Sequence, residues 1–117
     1  MTDLKILELP PCPVATTALL IGDHWKILII RELLNGTRRF NEITKGLEGI
    51  SNKVLSQHLK VMENRGLVQR KMYAEVPVKV EYSLTDVGWQ LQPVISEMWR
   101  WGDLYKDSLE QQNNKLT

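Results

Sequence analysis

Apolar positions along the chain fall into two registers, and the change from one to the other lays out the elements. From His24 to Leu34 the chain is apolar nearly all round (Trp25, Ile27, Leu28, Ile29, Ile30, Leu33, Leu34), the pattern of a central buried helix. Asn35-Gly36 closes it, with Gly36 suited to the left-handed position past a helix end. Before it, Pro10-Pro11-Cys12-Pro13 is extended and leads into a short helix ending near Gly22. After it, Arg39 to Leu47 predicts a short helix with Phe40, Ile43 and Leu47 inward. A turn at Glu48-Gly49-Ile50 follows, and Ser51 is placed to cap a helix from Asn52 to Asn64 that stops at Gly66. The period then drops to two: Leu67 to Ala74 predicts a strand, Glu75 to Val78 a turn, and Lys79 to Leu84 the returning strand. Thr85 can cap a long last helix running towards Glu110, in which Pro93 predicts a kink or a late start. The class is α+β, mainly α.

A chain of 117 residues holds one domain, placed at 14–110 between an N-terminal extension (1–13) and a flexible polar tail (111–117). With 43% apolar and 25% charged residues it can build a core unaided. One cysteine makes no framework of disulfides, and two histidines with it make no zinc site, so neither metal nor cofactor is expected. Unbroken apolar stretches reach only four residues, and Met1 to Lys5 leads into Glu8 and two prolines, so neither a membrane span nor a secretory leader is expected. The expected location is the cytoplasm.

Net charge is only +1, but it is unevenly spread. Nine basic residues lie between Arg38 and Tyr82 (Arg38, Arg39, Lys45, Lys53, Lys60, Arg65, Arg70, Lys71, Lys79) against five acids, while the two ends are net acidic. That is the distribution of a nucleic-acid face on a neutral body, although a solvated surface gives it too. The fourth helix decides between them. Leu55, Leu59 and Met62 share one side, and Lys53, Ser56, Gln57, Lys60 and Asn64 fall opposite, with two cations and no acid. A helix, a tight turn and such a second helix form the arrangement that seats a helix in the major groove of double-stranded DNA. Arg70 and Lys71 on the first strand of the hairpin, Lys79 on its second, and Arg38 and Arg39 at the start of the third helix are placed to meet phosphates. The candidate DNA-binding set is Arg38, Arg39, Ser51, Asn52, Lys53, Ser56, Gln57, Lys60, Arg70 and Lys79, with Ser51, Asn52, Ser56 and Gln57 reading bases.

Gly22-Asp23-His24-Trp25-Lys26, Arg39-Phe40-Asn41-Glu42-Ile43 and Gly49-Ile50-Ser51 with Lys53 and Leu55 resemble the HxlR-type winged-helix transcription regulators, which are MarR-like. So do Gly66 to Arg70, Tyr73 to Pro77, Val80 to Thr85 and Gly88. The resemblance covers about Cys12 to Trp101. It implies a winged helix-turn-helix with a recognition helix over about 51–65, a two-stranded wing over about 67–84, and terminal helices forming a dimer interface. The implied protein is a dimeric repressor or activator on a palindromic operator. His24, Thr37, Val78 and Trp89 depart from the residues more usual in the family at those positions.

On the last helix Leu91, Val94, Ile95, Met98, Trp99, Trp101, Leu104 and Tyr105 form a stripe too broad to hide against a small domain. The homodimer interface is assigned to Val94, Ile95, Met98, Trp99, Trp101 and Tyr105, and it would set two recognition helices roughly 34 Å apart. A small-molecule effector, if there is one, is expected near Trp25, Trp89 or Trp99 at that seam. Cys12 lies between prolines at the mouth of the first helix, where the helix dipole favours a thiolate. The resemblance implies a thiol sensor at this position in some family members and a packed thiol in others. Two other classes compete. An enzyme would need Cys12 with His24 or His58 as base, yet no phosphate loop or paired-carboxylate motif accompanies them. A winged-helix protein-interaction module without sequence-specific DNA binding would carry acidic or apolar residues on the exposed stripe, and there are none.

Overall fold

A computed structural model describes residues 8–116, so residues 1–7, with the Met1 to Lys5 segment read above, and Thr117 lie outside the described residues. Six helices and one hairpin follow in the order α1 (Pro13–Ile21), α2 (His24–Leu33), α3 (Phe40–Gly46), α4 (Asn52–Asn64), β1 (Val68–Tyr73), β2 (Lys79–Leu84), α5 (Asp86–Trp89) and α6 (Gln92–Leu116). Local chemistry sets most of these boundaries. Pro13 starts α1, where its missing N–H costs nothing. Asp23 caps α2 by accepting from the backbone N–H of Trp25 at 2.8 Å and of Lys26 at 3.3 Å. Gly36 and Gly66 follow α2 and α4 at φ +123° and +77°, a region that residues with a Cβ rarely adopt.

The core is assembled from one face of each element. Ile29, Ile30 and Leu33 of α2 are fully buried, as are Ile43 of α3 and Leu55 and Met62 of α4. Leu47, Leu59, Leu67, Val68 and Leu84 close it, with Trp25, Phe40 and Ile50 packed against its edge. Each fully buried side chain of this size contributes about 1.5–3 kcal/mol, so α4 is held by its apolar side and leaves the other uncommitted.

The strands β1 and β2 pair antiparallel from Val68 opposite Leu84 to Tyr73 opposite Lys79. A third strand position joins them. Arg38 bridges Tyr82, its N–H donating to the Tyr82 carbonyl at 2.9 Å and its carbonyl accepting from the Tyr82 N–H at 2.8 Å. The sequence pattern holds no sign of this bridge, because a single residue has no period.

The last helix departs from expectation in three ways. Thr85 caps a single turn, with its Oγ1 accepting from the Gly88 N–H at 3.1 Å, and the chain then breaks at Gln90-Leu91. The long helix begins afresh at Gln92, and Pro93 sits in its first turn, so the proline marks a late start. The segment expected as a tail is helical to Leu116. Ile95, assigned to the dimer seam, is buried in the chain's own core together with half-buried Leu91. From Met98 outward the apolar residues are exposed, Trp99 at 71% and Trp101 at 61%. Twenty-five residues make α6 about 37 Å long. A radius of gyration of 17.1 Å, against roughly 13 Å for a compact chain of this length, is the signature of an arm without a partner inside its own domain.

Candidate nucleic-acid interface

The pair α3 and α4 is fixed by its caps and its turn. Glu42 Oε1 accepts from the Arg39 N–H at 2.9 Å, securing the start of α3. Leu47 is buried and Gly49 takes φ +91°, which lets the chain reverse before Ser51. Ser51 Oγ then accepts from the Val54 N–H at 3.1 Å. That bond holds the helix end and leaves the exposed Ser51 hydroxyl its own hydrogen to donate. The apolar side of α4 is sunk in the core, while Asn52, Lys53, Ser56, Gln57, Lys60 and Asn64 are all exposed.

On one flank of α4 an open cleft is lined by Ser56, Leu59, Lys60, Glu63, Arg70 and Tyr82, so Lys60 of the helix and Arg70 of the wing share a surface. Glu63 lies there too, an acid at the edge of the cationic stripe. Arg39 is exposed at the start of α3, as expected. Arg38 is half-buried, its backbone spent on the Tyr82 bridge and its Nη1 donating to the Thr37 carbonyl at 3.1 Å.

The wing cations have neighbours of their own. Lys79 Nζ lies 3.5 Å from Glu81 Oε2 and 5.0 Å from the Tyr73 ring centroid, and Lys71 Nζ is also 5.0 Å from that ring. Glu81 is held below the usual carboxylate range, first by the Tyr73 hydroxyl and then by Lys79, against a smaller opposing effect of burial. Lys79 is therefore partly neutralised by its neighbours, whereas Lys71, on the first strand, makes no ion pair among the described residues and is exposed. Strand register sets Lys71 opposite Glu81.

On the other flank of α4, Lys26 of α2 and His58 line a second cleft with Gln57, Lys60, Val61 and Asn64. His58 is the core-boundary residue that its position on the helix predicts, and its Nε2 lies 3.4 Å from Asp23 Oδ1. Asp23 sits below its ordinary value. Burial opposes its charge, but the Lys26 and Trp25 N–H groups, aided by nearby His58 and Lys26, outweigh that.

The apolar groove on α6 is lined by Pro93, Val94, Glu97, Met98 and Trp101, and by none of Trp25, Trp89 or Trp99. Cys12 is exposed at the N-cap of α1 and is a free thiol.

Comparison with known proteins places this arrangement. The profile of the HxlR-like helix-turn-helix family matches residues 20–110. The chain belongs to that family. Among its relatives, the HTH-type transcriptional regulator YdeP of Bacillus subtilis is 43% identical over 99 residues, covering 85% of this chain and 77% of YdeP. YodB of the same organism, also an HTH-type transcriptional regulator, is 43% identical over 95 residues, covering 80% of this chain and 85% of YodB. A solved structure of the redox regulator HypR in its reduced form superposes with a TM-score of 0.80 at 38% identity, covering 86% of this chain and 99% of that one. As an HxlR-type chain, it has the winged helix-turn-helix fold of these transcriptional regulators, with α3 and α4 as the helix-turn-helix and β1 and β2 as the wing.

Proposed function

We propose that this HxlR-type chain is a homodimeric, sequence-specific DNA-binding transcriptional regulator. The observation that carries the proposal is the division of α4: one side buried to the last atom at Leu55 and Met62, the other an exposed stripe of Asn52, Lys53, Ser56, Gln57, Lys60 and Asn64. Seated in the major groove, Ser56, Gln57 and Asn52 read base edges, while Lys53, Lys60, Arg39, Arg70 and Lys71 meet phosphates. The wing runs along the backbone or into the minor groove. Apolar residues of α1 (Val14, Leu19) and α6 (Met98, Trp99, Trp101, Leu104, Tyr105) are exposed, and pairing them with a second copy would build a two-fold reader of a palindromic operator. Such a protein works in the cytoplasm, beside the DNA.

The experiment is fluorescence anisotropy of the full chain on DNA from upstream of its own coding sequence, with scrambled DNA as control, at two salt concentrations. Tight, selective and salt-sensitive binding is expected. Equal weak binding to both DNAs would overturn the reading and favour a protein partner.

Cys12 gives this regulator an input. Its thiol is exposed, and similarity to a redox regulator supports a role as sensor. With one cysteine per chain, any disulfide joins two subunits or adds a small thiol, and electrophiles would alkylate it. Oxidant should release the wild-type protein from DNA and leave Cys12→Ser bound. Release of both alike would remove Cys12 from the mechanism.

A further inference from the structure

A recognition helix in the major groove, roughly 12 Å wide, has a sugar-phosphate backbone on each side of it. The wing, with Arg70 and Lys71, supplies cations on one flank of α4. We propose that Lys26, on the first turn of α2, meets a backbone phosphate of the DNA on the opposite flank, so that the helix is clamped from both sides. The inference rests on the DNA-binding reading of α4 and adds a contact that the HxlR-type motif residues on α3, α4 and the wing do not include.

Three observations carry it. Lys26 opens onto a cleft of about 500 Å³ whose other walls include Gln57, Lys60 and Asn64, three members of the exposed stripe, so it faces the same surface. Two lysines and two amide side chains there offer only positive charge and hydrogen-bond donors or neutral acceptors, and no acid lines the cleft. Among the described residues, Lys26 and Lys60 make no ion pair. Asp23, whose charge Lys26 helps to stabilise, has its Oδ1 already shared by two backbone N–H groups and His58. Lysine on a flexible stem, set beside the helix, suits a phosphate as a point charge better than a base edge.

The test is a salt series by anisotropy on selected upstream DNA and on scrambled DNA, using the full-length wild type, Lys26→Ala, Lys26→Arg and, as a control on α6, Lys106→Ala. Loss of one phosphate contact per protomer flattens the plot of log K against log salt by about 0.9 for each protomer. Lys26→Ala should show this flattening and weaken both DNAs by the same factor, whereas Lys26→Arg and Lys106→Ala keep the wild-type slope. An unchanged slope in Lys26→Ala overturns the proposal, as does a loss confined to one sequence. So does binding of inorganic phosphate at Lys26 with the DNA slope unchanged, which would assign the cleft to a small phosphorylated ligand. Failure of the wild type to select a sequence would sink the regulator reading itself, a separate outcome.

Discussion

His58 Nε2 stands 3.4 Å from Asp23 Oδ1, so the recognition helix is tied to the same carboxylate that caps the central helix. One side chain thus closes the N-terminus of α2 and meets α4. Asp23→Ala removes both contacts and should cost about 1 kcal/mol from the cap alone, seen as a lower melting temperature. Asp23→Asn keeps a capping oxygen and loses only the charge. Because the Asp23 carboxyl lies below its ordinary 3.8, its charge stabilises the fold above that value, and the benefit is lost as pH falls through the lowered one. The melting gap between wild type and Asp23→Asn should be present at neutral pH and vanish in strong acid. A gap that widened in acid would show that the carboxylate is a burden to the fold.

Within the polar stripe of α4, Gln57 and Lys60 are both exposed but differ in chemistry. Gln57→Ala should relax sequence preference with little change in salt dependence. Lys60→Ala should weaken every sequence alike and flatten the salt slope by about 0.9 per protomer. Competition binding against a randomised operator library distinguishes the two, and equal losses on all sequences from both variants would refute the division.

Trp99 and Trp101 are largely exposed, and the Trp101 ring stacks on Tyr105 with centroids 5.3 Å apart. Replacing both tryptophans by Glu touches no core side chain. Light scattering should then report a folded monomer near the 13.5 kDa chain mass in place of a dimer, with selective DNA binding lost. A dimer that survives the double substitution would place the seam elsewhere.

Gly88 fills a position with no room for a side chain: a Cβ there would come within 2.2 Å of the Leu67 carbonyl oxygen. Gly88→Ala must push the hairpin away from α5 and should cost about 1–3 kcal/mol. Gly102, on α6, has nothing within 4 Å of the same Cβ, and Gly102→Ala should be neutral or stabilising by up to about 1 kcal/mol. Paired melting curves check both.

The helix-turn-helix and the hairpin could be read from the sequence because each buries one regular face, and periodicity records burial. Leu55, Leu59 and Met62 announce α4, and the polar residues between them announce its free side. What escaped reading has no period. The Arg38–Tyr82 bridge is one residue long, the Lys79–Glu81–Tyr73 cluster depends on strand register, and Lys26 meets the α4 stripe only through the packing of two helices. Ile95 misled for a related reason: an apolar residue on a stripe shared by two surfaces carries no mark of which one it joins.

The Arg38–Tyr82 bridge has a mechanical effect. Two backbone hydrogen bonds lash Arg38, two residues ahead of α3, to the middle of β2, so the first helix of the helix-turn-helix and the wing cannot slide past each other without breaking both. The reading head is then a stiff block on the long lever of α6. In a dimer, a signal arriving at Cys12 or along α6 would reach the operator as a change in the tilt and spacing of two unaltered blocks, and the grip on DNA would be lost by misalignment.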